Sequence, residues 1–218
     1  MLFDLDGTLV DTPYLHTVTW WQALRQFEHD VAMARIHRAI GMGGDRILDH
    51  LLGADRDRAD DDAMRAAHTS LYATYWDRLR PTPGARELVQ AVAERGLRVV
   101  LASSASRPEL AAMLRALDAD DVVDTVVGAD DAGASKPAPD IVQRALGESG
   151  LRPDEVVFVG DSVWDVYACS PVAIPCIGLT CGGTDAAELL QAGAFRVYEH
   201  PRALLATADE LERSAKEQ

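Results

Sequence analysis

The first twelve residues, MLFDLDGTLVDT, set three carboxylates, Asp4, Asp6 and Asp11, within eight positions of one another. Carboxylates this close repel unless a metal, a proton or a cation neutralises them. A turn or helix cap would use one or two such groups, so the crowding points to chemistry that wants concentrated negative charge. Five further residues belong with them: Ser103 and Ser104 in LASS, Lys136 in SKPAPD, and Asp161 and Asp165 in GDSVWD. Hard carboxylate oxygens from Asp4 and Asp161 suit Mg²⁺, which accepts few protein ligands and keeps phosphate and water for the rest. A carboxylate can also be a nucleophile, dividing one hard step into two through an aspartyl phosphate. A second carboxylate, Asp6, can protonate the leaving alcohol and later deprotonate the attacking water. Ser103, nearby backbone N–H groups and Lys136 would steady the charge on a transferring phosphoryl group. Gly7 allows a sharp turn and close approach to phosphate.

These groups need elements that bring them together. From residue 81 onward, short apolar β-branched runs alternate with amphipathic helical stretches, the pattern of a mostly parallel sheet covered on both faces. The strands read as MLFDLD, LRVVLASS, DTVVGAD, DEVVFVGDS, IPCIGLT and FRVYEH. Asp4 and Asp6, Ser103 and Ser104, and Asp161 and Ser162 then stand at strand ends. In a doubly wound sheet, ligands bind beyond those carboxyl ends. Asp165, one helical turn after Asp161, can face the same place. Lys136 precedes Pro137 at the start of a helix expected over 137–150, so its cation is expected beside a helix N-terminus suited to anions. Residues 13–80 are helix-periodic throughout, and PTPG at 81–84 reads as the return to the sheet. The expected fold is α/β: a doubly wound, Rossmann-like parallel sheet formed by 1–12 and 81–218, with an inserted helical subdomain at 13–80. The acidic run ADRDRADDD at 54–62 reads as a solvated helix start.

The chain has 218 residues, 48% of them hydrophobic, and a formal net charge of −14. That charge argues against a nucleic-acid backbone or an anionic membrane surface as partner. No apolar run approaches the roughly 20 residues that span a bilayer. Three cysteines, Cys169, Cys176 and Cys181, form neither a closed disulfide framework nor a CxxC pair, so a reducing cytoplasm is expected. Lysine occurs only at 136 and 216.

In this order, DLDGTLVD, LASS, SKPAPD and GDSVWD resemble the haloacid dehalogenase superfamily of phosphohydrolases. The helical insert after the first motif is similar to the α-helical cap of its β-phosphoglucomutase-like branch. The resemblance implies a phosphatase acting on a small phosphorylated metabolite, as a monomer or weak homodimer, with Asp4 as nucleophile and Asp6 as general acid and base. It also implies Mg²⁺ held by Asp4, the Asp6 carbonyl and Asp161, with Asp165 as ligand or support, and phosphate bound by Ser103 and Lys136. Gly7 and Ser104 belong to the same phosphate cradle. His16 and Trp20, one turn apart on the first helix of the insert, either face the substrate or pack the cap. Gly41, Gly43 and Gly44 form a loop over the site or a plain helix–helix turn. Asp11 is expected to order the turn into the cap.

Asp6 favours transfer to or from oxygen, because dehalogenase members lack this second aspartate. The absence of lysine between 13 and 80 argues against the Schiff-base chemistry of phosphonatases. A mutase must grip a second phosphate, and IGMGGDRIL has glycine where β-phosphoglucomutase presents an arginine, with Arg46 the nearest substitute. Hydrolysis is therefore preferred over the mutase, and both over a receiver-like module or a non-catalytic relative. LASS differs from the TNK of typical bacterial phosphoglycolate phosphatases. Relatives also carry a few more residues before the first motif, so either the true start lies upstream or the first strand is short. CSPVAIP at 169–175 puts Pro171 and Ala173 where relatives show a helix end and a glycine; Pro171 should stop its helix by about residue 170.

Overall fold

The structure, a computed structural model, describes residues 1–216, with side chains described through residue 208. Six apolar runs make the sheet: β1 (Leu2–Phe3), β2 (Val100–Ala102), β3 (Thr125–Val127), β4 (Phe158–Gly160), β5 (Cys176–Leu179) and β6 (Arg196–Tyr198). All pairings are parallel, and the order is β3-β2-β1-β4-β5-β6. The order reverses between β1 and β4, the crevice in which such sheets bind ligands. Strands are two to four residues long, shorter than the expected runs. The ladder continues one residue further, with Asp4 N donating to Val159 O (2.9 Å) and Ser103 N to Val127 O (3.1 Å). The chain then leaves the sheet plane, and the polar side chains of the motifs stand at that departure.

Alternation along the strands divides the core. Phe3, Leu101, Val159 and Leu179 pack with α5 (Ala85–Glu94), α6 (Arg107–Leu117) and α10 (Pro201–Lys216) on one face. Leu2, Val100, Phe158 and Cys176 pack with α7 (Asp140–Ser149), α8 (Val163–Cys169) and α9 (Ala186–Ala192) on the other. Pro139 immediately precedes α7, and the residue before a proline avoids the helical region, so SKPAP stays outside the helix. The expected start at Pro137 is corrected to Asp140.

Between β1 and β2 run α1 (Pro13–Gln26), α2 (Met33–Ala39), α3 (Ile47–Leu52) and α4 (Asp61–Ala73). Trp20, Leu24, Ile36, Leu48 and Met64 bury a hydrophobic cluster of their own. The chain passes out and back in two neighbouring segments, joined by Asp11 N to Arg80 O (2.9 Å), Thr82 N to Leu9 O (3.0 Å) and Thr82 Oγ1 to Thr8 O (2.6 Å). Asp11 contributes its backbone at this junction, while its side chain is exposed. The acidic run is not simply solvated. Arg56 lies 2.6 Å from both Asp49 and Asp61, and Asp61 is buried. α8 ends at Cys169, within the limit expected from Pro171, which lies in a single 3-10 turn over Ser170–Val172; Ala173 adopts φ +55°, a left-handed conformation that costs an L-residue about 1–2 kcal/mol. Among the described residues no helix is long and apolar enough to cross a membrane.

Candidate active site

Gly7 carries the turn after β1 at φ +75°, and a Cβ there would stand 2.3 Å from Asp161 Oδ2. This turn sets Asp4 and Asp6 in different surroundings. Asp4 and Lys136 are both buried, and Lys136 Nζ lies 2.7 Å from Asp4 Oδ1 and 2.7 Å from Asp165 Oδ1. The ammonium thus lies between two carboxylates rather than at the α7 N-terminus, which corrects its expected placement. Asp165 is further fixed by Ser162, whose N–H (3.0 Å) and hydroxyl (2.7 Å) both donate to Oδ2. Asp161 Oδ1 accepts from Thr8 Oγ1 at 3.0 Å.

Asp4, Asp161 and Asp165 each offer one oxygen to a group whose members lie within 4.8 Å of one another. Three buried carboxylates face one ammonium, and the imbalance appears in their ionisation. Burial, reinforced by Asp165 and Asp6, pushes Asp4 up to about 8 against the pull of Lys136. Burial, Asp165 and Asp4 likewise raise Asp161 well above the usual carboxylate range. Burial works against the charge of Lys136, but Asp165 and Asp4 outweigh it and raise its pKa. All-oxygen ligands with surplus negative charge fit a hard divalent cation, which would stabilise both raised carboxylates in their ionised forms. Asp165 has both oxygens engaged by Lys136 and Ser162, so Asp4 and Asp161 are the better placed donors.

Asp6 sits differently. Its Oδ1 accepts from Thr12 Oγ1 (2.8 Å) and lies 3.0 Å from His16 Nε2, and its Oδ2 accepts from Ser103 Oγ (3.2 Å). Burial opposes its charge, but the hydrogen bond and electrostatic attraction of His16, with hydrogen bonds from Thr12 and Ser103, prevail and hold its carboxyl below the ordinary range. Thr12 and His16 lie at the entry to α1, so the helical region reaches back to set this carboxylate.

A cavity of about 200 Å³ opens over both aspartates, walled by Trp20, Met42, Gly44, Arg65 and Ser104. The serine pair separates. Ser103 is fully buried, and its hydroxyl serves Asp6 and accepts from Ala105 N at 3.1 Å. Ser104 Oγ is buried without a hydrogen-bond partner at the cavity wall. The glycine loop presses on the sheet side, since a Cβ at Gly43 would stand 2.1 Å from Ser135 Oγ. Gly44 lines the cavity, and its carbonyl accepts from Arg65 Nη1 at 3.3 Å. Arg46 is half-exposed against Asp45 and does not line the cavity.

Sequence reasoning missed Arg65, His68 and Tyr72. They recur at i, i+3 and i+7 along α4, a spacing that puts them on one helical face. His68 Nε2 lies 3.1 Å from His16 Nδ1, and Tyr72 stacks on His16 with ring centroids 3.9 Å apart.

Known proteins resemble the chain in sequence and in fold. A family model described as haloacid dehalogenase-like hydrolase matches residues 1–171. The phosphoglycolate phosphatase of Yersinia pestis is 32% identical over 188 residues, covering 83% of this chain and 80% of that protein. That of Escherichia coli K12 is 30% identical over 202 residues, with the same coverage. The crystal structure of a hydrolase from Pseudomonas syringae matches with a TM-score of 0.91 and 35% identity, covering 96% of this chain and 97% of that one. A β-phosphoglucomutase from Clostridium difficile shares the fold, with a TM-score of 0.82 at 18% identity over 100% of this chain and 98% of the other. With its motifs gathered at the carboxyl edge of a 3-2-1-4-5-6 sheet and a family match over most of its length, the chain belongs to the haloacid dehalogenase-like hydrolases.

Proposed function

We propose that this hydrolase is a Mg²⁺-dependent phosphatase that cleaves a small phosphomonoester through an aspartyl phosphate on Asp4. The observation that carries the reading is the pair Asp4 and Asp6, two residues apart and held in opposite electrostatic settings under one cavity. An Asp4 oxygen attacks phosphorus while the bond from phosphorus to the ester oxygen breaks, and Asp6, entering the step in its protonated form, delivers that proton to the departing oxygen. Asp6 then takes a proton from water as the water attacks phosphorus, which frees phosphate and restores Asp4. The unpartnered Ser104 hydroxyl is set to meet a phosphoryl oxygen, Lys136 balances Asp4 and Asp165 beneath the site, and Ser103 holds Asp6. Mg²⁺, bound by Asp4, the Asp6 carbonyl and Asp161, would supply the positive charge that screens nucleophile from phosphoryl group.

Residues 13–80 act in this reading as a cap on a core of 1–12 and 81–218, closing the cavity against bulk water. A space of about 200 Å³ suits a short phosphorylated metabolite rather than a polymer. Arg65 is the one guanidinium among the residues that line it, and it offers a partner to a carboxylate on the leaving group. The relatives named phosphoglycolate phosphatase make 2-phosphoglycolate the first substrate to try, although LASS stands here instead of TNK. A mutase would need a grip for a second phosphate, and neither a lysine nor Arg46 lines the cavity.

The test is phosphate release from 2-phosphoglycolate, phosphosugars and an aryl phosphate, with Mg²⁺, with chelator and with Asp4→Asn. Mg²⁺-dependent release should fall about 10⁴-fold or more in the variant, the scale of removing one member of a catalytic unit. Wild-type turnover in Asp4→Asn would overturn the assignment of the nucleophile.

A further inference from the structure

The proposed acid–base residue has a second support layer that its own hydrogen bonds do not reveal. His16 bridges Asp6, through Nε2 at 3.0 Å, and His68, from Nδ1 to Nε2 at 3.1 Å. His68 is 6% exposed and lies flat against Trp20, with centroids 4.2 Å apart and planes 13° apart. Its plane is within 6° of that of Tyr72, which stacks on His16 at 3.9 Å from the other side of the network. The two imidazoles therefore have little freedom to rotate. An ionised Asp6 can only accept, so His16 Nε2 must carry the proton that it shares with Asp6. In a neutral His16 ring, Nδ1 is then a bare acceptor, and His68 Nε2–H is the only donor facing it among the described residues.

We infer that His68 is a positioning residue: by donating from Nε2 to His16 Nδ1 it selects the His16 tautomer whose Nε2–H holds Asp6 for proton transfer. Without that donor, Asp6 alone favours Nε2–H, and the Nδ1–H tautomer of a neutral His16 is no longer opposed from the His68 side. With the proton on Nδ1, Nε2 turns a lone pair toward the Asp6 carboxylate and repels it. A tautomer misassigned in this way misdirects the carboxylate although every atom of Asp6 and His16 remains. This inference rests on the acid–base role of Asp6 for its kinetic consequence, but the tautomer itself is readable without turnover.

The experiment compares wild type with His68→Phe, which keeps a ring between Trp20 and Tyr72, and His68→Gln. The Gln amide nitrogen stands the same number of bonds from Cβ as imidazole Nε2. His68→Leu serves in place of Phe if that variant melts before assay. Imidazole ¹⁵N shifts in neutral to mildly alkaline buffer should show His16 as the single Nε2–H tautomer in wild type and His68→Gln. They should show a mixture in His68→Phe. On the best substrate, kcat should fall roughly tenfold in His68→Phe, as for a misplaced proton donor, with KM within about twofold. His68→Gln should recover most of the loss. In a His16→Phe background, His68→Phe should cost nothing further, because the two act as one unit.

An unchanged His16 tautomer in His68→Phe overturns the inference. So does an undiminished kcat, or a loss that adds to that of His16→Phe. If the wild type hydrolysed no phosphomonoester while the tautomers behaved as stated, the phosphatase reading would fall and the tautomer selection would stand.

Discussion

Asp4 and Asp6 are separated by a single leucine, yet the molecule treats them oppositely. Asp4 lies among charges, with Lys136, Asp161 and Asp165 around it, all supplied by the sheet's carboxyl edge. Asp6 lies among side chains without fixed charge, Thr12, His16 and Ser103, two of them from the entry to α1. The first setting carries more negative charge than it can hold, and Asp4 and Asp161 resist ionising. The second meets one carboxylate with three hydrogen-bonding partners, and that carboxylate ionises readily. A buried carboxylate is governed by what its neighbours can donate rather than by burial itself.

Three variants sharpen or break this contrast. The largest effect should come from Lys136→Met, which leaves two buried carboxylates without their counter-ion. Breaking a buried pair in this way costs about 3–5 kcal/mol, measurable by denaturant unfolding. A loss below about 1 kcal/mol would mean that Lys136 does not balance the cluster.

Asp161→Asn should act in the opposite direction on the metal-free protein. A raised carboxyl pKa means that the folded state holds protons that the unfolded state has released. Stability therefore falls as pH rises from about 4, where an unfolded aspartate ionises, toward 8, the value reached by Asp4. Removing one charge from the cluster should flatten that slope and raise stability near neutrality by about 1–2 kcal/mol, equivalent to about one pKa unit of relieved repulsion. The same substitution should abolish any rise in Tm on adding Mg²⁺, a rise that ligand linkage requires of the wild type if the cation binds there. A steeper pH slope in Asp161→Asn would contradict the surplus of charge.

The smallest effect belongs to Thr12→Val, which removes one donor from Asp6 at nearly constant shape. Asp6 has a lowered pKa, so losing a donor moves it up. The acid limb of the pH–rate profile should shift toward neutrality by up to about one pH unit, as one hydrogen bond to a charged group can produce. An unmoved limb would remove Thr12 from the set that ionises Asp6.

The sheet was legible because its signal is local. Six apolar runs, each bounded by polar or glycine residues, recur with helices between them, and the groups at their ends face one edge once the strands are parallel. Lys136 was harder. Its neighbours Pro137 and Pro139 mark a chain that runs through a turn before the helix begins at Asp140, and overlooking the second proline placed the helix three residues early. Ser103 and Ser104 could not be told apart because β2 ends at Ala102, beyond which alternation no longer says which hydroxyl turns inward. His68 has the right helical spacing with Arg65 and Tyr72. Which way that face turns depends on how α4 packs on α1, a contact between segments some 50 residues apart. Asp61 likewise reads as surface charge until Arg56 folds back over it.

The scarcity of lysine gives the buried ammonium a further use. Besides Lys136 the chain has only Lys216 and its α-amino group as primary amines. Lys136, 1% exposed at its side chain and held by two carboxylates, can meet an acylating reagent only when the sheet edge around it opens. Its rate of acylation, read by mass spectrometry on one peptide, therefore counts opening events in the catalytic half of the molecule, against a nearly silent background. Whatever bridges Asp4 and Asp161 should slow that clock, so amine labelling becomes a gauge of site occupancy that requires no substrate.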